Sequence, residues 1–249
     1  MAFNLDKYRS IKKEVIYKIK LSHAWETTEG FIADGLISPK KYSEEEVKIA
    51  CVLSETYGYN ASGVVDIELQ QSEDILGVGD ANIKATTKLP ALLWLLFESL
   101  KTKQKIEFVD VPRLFTGSDE NLERLKPTMT KIGWVNAKKA SKPVEFYGKG
   151  SKQQSNREIY ENTIRNKDVL KLQLESMKPD LLIICGSPVI MGFANSEILG
   201  KGIEFNKKKV IQVNDLGEKI MLISHPSSAR EWSYEKLYSR YEVLFEHFK

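Results

Sequence analysis

At 249 residues, 42% of them hydrophobic and 29% charged, the chain can bury a sizeable core as one large domain or one domain with an added lobe. Its longest apolar run, PALLWLLF (90–97), is far too short to span a bilayer, and two cysteines and three scattered histidines leave no credible zinc or iron–sulfur site. The net charge of +3 is mild but uneven: Lys126 to Arg157 holds eight basic residues against the single acid Glu145.

The N-terminal stretch MAFNLDKYRSIKKEVIYKIK mixes charge into a helical pattern and has no apolar leader segment, so a cytoplasmic protein is expected. Apolar residues at helical spacing (Leu5, Tyr8, Ile11, Val15, Ile16, Ile19) predict an amphipathic helix from 5 to about 28. Glu46–Ser54 (EVKIACVLS) reads as a buried strand, and residues 60–82 read as irregular. Lys84–Leu100 is helical in pattern, with Pro90 starting a second segment or kinking the first. Glu107–Val111 is a candidate strand and Glu120–Met129 a short helix.

Lys131–Ala137 (KIGWVNA) is a second strand, followed by the basic, glycine-containing loop. That loop reads either as a phosphate-contacting surface or as a solvated lysine-rich face. Arg157–Met177 has one unbroken 3.6-residue period and predicts a single long helix. Leu181–Cys185 (LLIIC) is a third buried strand, Val210–Val213 a short extra one, and Lys219–Ser224 (KIMLIS) a fourth main one. Trp232–Phe248 closes as a helix. Cys51 and Cys185 sit inside apolar strands and are expected as buried free thiols.

Strands apolar on both faces, alternating with helices, imply a parallel sheet covered on both sides. The fold expected is a three-layer α/β sandwich with a central, mostly parallel four-stranded sheet flanked by helices. Residues 1–45 form an N-terminal helical extension and 46–249 the α/β domain. In such sheets the site lies beyond the carboxyl ends of the strands. The loops at 54–60, 136–139, 186–188 and 225–230 should therefore converge on one cleft.

In order, those strand ends are VLSETYG (52–58), GWVNA (133–137), LLIICGS (181–187) and ISHPSS (223–228). Together they resemble the uracil-DNA glycosylase superfamily. That family has a first loop of Gly-(Gln or Glu)-(Asp, Ala or Asn)-Pro type, a strand of "LLN" type, an apolar strand ending in Gly, and a strand ending in "HPS". The resemblance runs from about Val47 to the C-terminus. It implies cleavage of an N-glycosidic bond to uracil or another modified pyrimidine in DNA, without cofactor or metal, by a monomer. A donor aimed at the base oxygen stabilises the departing anion, and a carboxylate near the sugar stabilises the cation or orients water. The base must first leave the helical stack.

By resemblance, Asn136 reads the base, since its amide can pair with a pyrimidine's O4 and N3–H together. His225 stabilises the leaving group. Ser187, Ser227 and Ser228 grip phosphate with Lys138 and Lys139, and Arg230 either does the same or fills the vacated stack. Taken alone, His225 reads as a satisfied histidine in a surface turn. The first loop departs from the family pattern in two possible registers. Either Glu55 takes the catalytic carboxylate position and Tyr57 shields the pocket, or Glu55 and Gly58 match a "GEAPG" type loop with Thr56 at the aspartate position. In both, Glu55 is the carboxylate at the strand end. Ala229 stands where the family places a bulky wedge, and Trp232 reads as core or wedge. Tyr57, Tyr59 and Trp134 are the candidate base-stacking aromatics. A catalytically degenerate DNA or nucleobase binder of the same fold is the alternative, and an unrelated α/β protein with chance motifs a third.

Overall fold

The computed structural model of the chain describes residues 3–22, 31–54, 64–66, 88–115, 119–138, 151–204, 210–224 and 232–249. Two five-residue runs without polar alternation form the centre of the sheet: β3 (Ile49–Leu53) and β6 (Leu181–Cys185), paired in parallel. β5 (Gly133–Asn136) lies parallel on the outer side of β3, and β8 (Lys219–Ile223) parallel on the outer side of β6. Two-residue antiparallel strands finish the edges, β2 (Gly35–Leu36) on β5 and β7 (Gln212–Val213) on β8. The sheet is thus six-stranded, β2-β5-β3-β6-β8-β7, rather than four-stranded. Its four parallel strands are those expected from the sequence; of the edges, β2 is too short to leave a periodic signal and β7 falls within the extra strand expected at 210–213. A separate parallel pair joins β1 (Phe31–Ala33) to β4 (Val64–Asp66), the latter within the stretch expected to be irregular.

Alternation along the strands divides the interior between two faces. Ile49, Cys51, Trp134, Ile183 and Met221 pack with α3 (Lys88–Thr102) and α8 (Tyr234–Phe248) through Leu92, Leu96, Tyr241 and Leu244. Ala50, Val52, Val135, Leu182 and Ile184 pack on the other face. Their partners are Ile159 of α5 (Ser151–Arg165), Leu170 and Leu174 of α6 (Lys167–Met177), and Phe193 of α7 (Ser187–Asn195). With both faces covered, a polar residue has no place in the strand middles. Cys51 and Cys185 are free and buried, and burial pushes both thiols well above their ordinary range.

α1 (Leu5–Ser22), β2 and the short helix before residue 45 are tied into this body. α1 lies against α6 through Val15, Ile19 and Val169, and Tyr8 accepts a hydrogen bond from the Leu36 N–H at 2.8 Å. In the short helix α2 (Pro39–Glu44), the Tyr42 hydroxyl donates to the Met177 carbonyl. Residues 23–28 of the expected first helix lie outside the described residues.

Two local expectations are corrected. Residues 107–111 are no strand: Phe108–Phe115 is a 3₁₀ helix, whose Val109 is 71% exposed. The single helix expected over 157–177 is two, meeting at Asn166. The Asn166 N–H still donates to the Asn162 carbonyl and the Leu170 N–H to that of Asn166, so the helical period runs through the break. Pro90 sits in the first turn of α3, where its missing N–H costs nothing, as suits a proline that starts a helical segment; residues 84–87 of the expected helix lie outside the described residues. α4 (Asp119–Met129) forms where expected. No helix among the described residues is long and apolar enough to cross a membrane.

Candidate functional site at the carboxyl edge of the sheet

The register brings the four parallel strands to a common end. Leu53 pairs with Asn136, Val52 with Ile184, and Cys185 with Ile223, so Asn136, Leu53, Cys185 and Ile223 form one row across the sheet. Hydrogen bonding continues one step beyond it. The Ala137 N–H donates to the Leu53 carbonyl, Lys138 to Ser54, and Gly186 to Ile223. At the usual spacing between strands, the ends of β5 and β8 stand about 14 Å apart, with the ends of β3 and β6 between them. All four motif-bearing segments leave from this edge.

Glu55, Tyr57, Lys139, His225, Ser227, Ser228 and Arg230 lie outside the described residues. The structure gives the stems that carry them, Ser54 before Glu55 and Ser224 before His225, and the positions of Asn136, Lys138 and Ser187. Asn136 ends β5, is 8% exposed, and by alternation shares its sheet face with Trp134. Trp134 itself is core, its indole N–H donating to the Met129 carbonyl at 2.9 Å, so it does not stack on a base.

Lys138 is turned inward. It is 5% exposed and its ammonium lies 3.8 Å from the Glu158 carboxylate of α5. Ser187 is exposed as the first residue of α7, just after Gly186, whose φ of +96° lets the chain turn sharply from strand to helix. Among the described residues no side chain caps this helix start, and Pro188 brings no N–H to it.

Trp232 is core and not wedge. It is buried against α8, its indole N–H donates to the Ser224 carbonyl at 3.2 Å, and the Arg240 guanidinium stands 4.8 Å from its ring centre. The bond ties together the two residues that bracket the segment 225–231.

Sequence reasoning missed one carboxylate at this edge. Asp34, immediately before β2, is 5% exposed. Its Oδ2 accepts the Asn136 backbone N–H, and its Oδ1 accepts the Gln173 amide of α6 at 2.7 Å. The same amide also reaches the Asp34 carbonyl at 3.1 Å. The signal in the sequence was the Asp34-Gly35 pair between two short apolar pieces, a turn pattern in a stretch the family resemblance does not reach.

Among the described residues, no three His, Cys, Asp or Glu side chains gather to hold a metal. No protein-family model matches the chain, and no curated protein matches it. What the edge offers chemically is a buried amide residue held by its backbone, a helix start, and two further stems at fixed spacing.

Proposed function

We propose that the protein is a monofunctional DNA glycosylase of the uracil-DNA glycosylase type, acting on uracil or another altered pyrimidine. The observation that carries this reading is the row Asn136–Leu53–Cys185–Ile223, which sends all four motif segments off one edge of one sheet. The four parallel strands are then the family's central sheet, and the helices on its two faces the outer layers of a three-layer sandwich.

In the reaction, the flipped base meets Asn136, which pairs with its O4 and N3–H. The N-glycosidic bond breaks with its electron pair leaving on the base, and His225 donates to the base oxygen that gains the charge. Water, oriented by Glu55, adds its oxygen to the sugar carbon, and the proton it gives up neutralises the base anion, leaving a free base and an abasic site. With Lys138 turned toward Glu158, phosphate contact falls to Lys139, Ser187, Ser227, Ser228 and Arg230. Having no Schiff-base lysine in the motif segments, the enzyme leaves the strand uncut. It works as a monomer in the cytoplasm, in repair or in defence against DNA with unusual bases.

The test is incubation with labelled single- and double-stranded DNA containing uracil, hydroxymethyluracil or other modified pyrimidines, followed by alkali. Breaks that disappear in Asn136→Ala and His225→Ala support the glycosylase. DNA binding without abasic sites on any substrate replaces it with the degenerate binder, a reading the divergent SETYG segment would then explain.

A further inference from the structure

We infer that Asp34 is a positioning residue, and that with Gln173 it sets the aim of Asn136; the inference rests on the base-reading role proposed for Asn136. The backbone of β5 donates alternately to its two neighbours. Ala137 donates to Leu53 of β3, so the Asn136 N–H points the other way, toward β2. There the ladder has already stopped at the Gly35–Trp134 pair. Where a third strand residue would offer a carbonyl, the Asp34 carboxylate takes the N–H instead.

A buried carboxylate costs several kcal/mol of desolvation unless its lone pairs are engaged, so a plain sheet edge is better closed by backbone. Here both carboxylate oxygens are engaged, one by Asn136 and one by Gln173. The segment is pinned from the other side too, since the Leu36 N–H is held by the Tyr8 hydroxyl. Asp34, steadied by Gln173 of α6, therefore fixes one backbone amide, that of the residue proposed to read the base. A charge-assisted hydrogen bond is short and directional, which suits it to holding a side chain's origin steady.

The experiment is a cycle on the full-length chain. Asp34→Ala, Asp34→Asn, Asn136→Ala and the double variant Asp34→Ala/Asn136→Ala are compared in single-turnover excision from uracil-containing DNA and in affinity for the same DNA without uracil. Asp34→Ala is expected to lower the excision rate by about tenfold or more, a typical loss when the support of a functional residue is removed. Affinity for unmodified DNA should stay within about twofold, and Asp34→Asn, which keeps an acceptor for the Asn136 N–H, should recover most of the rate. In the Asn136→Ala background, Asp34→Ala should cost nothing further. Ile19→Ala, in the outer α1–α6 contact, supplies the matched loss of stability without loss of rate.

Additive losses in the cycle, or an equal loss in Ile19→Ala, would overturn the inference and leave Asp34 a purely structural tie. Failure of the functional reading looks different: the wild type then excises no base. In that case selective ¹⁵N-asparagine labelling decides. A backbone amide signal of Asn136 that moves and loses exchange protection in Asp34→Ala supports the lock, and an unchanged signal overturns it.

Discussion

The two outer parallel strands end at the same edge, and each leads to a residue proposed to meet the base, yet their ends are held by opposite chemistry. The end of β5 is held by charge: the Asp34 carboxylate grips the backbone of Asn136 itself. The end of β8 is held by an aromatic ring: Trp232, eight residues along, returns its indole N–H to the Ser224 carbonyl and lies under Arg240. A carboxylate fixes one backbone atom, because its hydrogen bonds are few and directional. A buried indole fixes a chain crossing, because most of its hold is surface removed from water. The first tie suits a residue inside a strand, and the second suits the base of a segment that follows one.

The largest expected effect comes from removing the aromatic tie. Trp232 is 2% exposed within the core shared by α3 and α8, so Trp232→Ala should cost about 3–5 kcal/mol, measured by chemical denaturation. Trp232→Phe keeps a buried ring but loses the bond to Ser224 and part of the packing, so its cost should be about 1–2 kcal/mol. The ratio of the two sharpens the comparison. If Trp232→Phe is as damaging as Trp232→Ala, the hold on β8 is a hydrogen bond after all, and the two strand ends are built alike.

The comparison also explains what the sequence made legible. β3 and β6 stood out because a parallel strand covered on both faces is apolar at every position, and β8 is so after Lys219, a signal that needs no partner to be read. The strand-end rule then gave the common edge and the residue Asn136. Asp34 escaped because its role comes from long-range contacts: its partners are 102 and 139 positions away, and nothing in the local pattern around it names them. Lys138 shows the same limit. In a run of basic residues it reads as surface, and only the packing of α5 reveals Glu158 beside it. The strand expected at 107–111 failed for a related reason, since β-branched residues make a strand only where another strand is there to pair.

A smaller effect probes the charged tie through its neighbour Gly35. Its φ is +136°, and a Cβ placed there would stand 2.6 Å from the Tyr8 hydroxyl oxygen. Gly35→Ala combines a strained backbone with a contact that must give way, at a cost of about 1–3 kcal/mol. Because the hydroxyl is the group in the way, Tyr8→Phe should relieve part of that cost. The double variant should therefore be more stable than the sum of the two losses, even though Tyr8→Phe leaves the Leu36 N–H without its acceptor. Additive losses would mean that Tyr8 and Gly35 act separately, and that the pinning of the 34–36 segment is not a single unit.

The smallest effect serves as a control at the far end of β8. Lys219 opens that strand, and its ammonium lies 4.5 Å from the centre of the Phe248 ring, next to His247. Burial, and secondarily the Lys219 charge, lower the His247 pKa below its ordinary value of 6.5. The unfolded chain therefore binds a proton at His247 more readily than the folded one. Stability contributed here is complete above about pH 6.5 and declines as pH falls toward the lower folded value. Thermal melts between pH 8 and 5 should show a slight loss that His247→Gln flattens; a slope that survives the substitution belongs to another group. The tie at the opposite end of the strand consists of an indole, a carbonyl and a guanidinium, none of which titrates in this window; the neighbouring His225 is therefore replaced by Gln for this comparison. Trp232 fluorescence should accordingly hold steady while the amino end of β8 loosens, and a parallel change in both would show that the aromatic tie depends on charge as the β5 tie does.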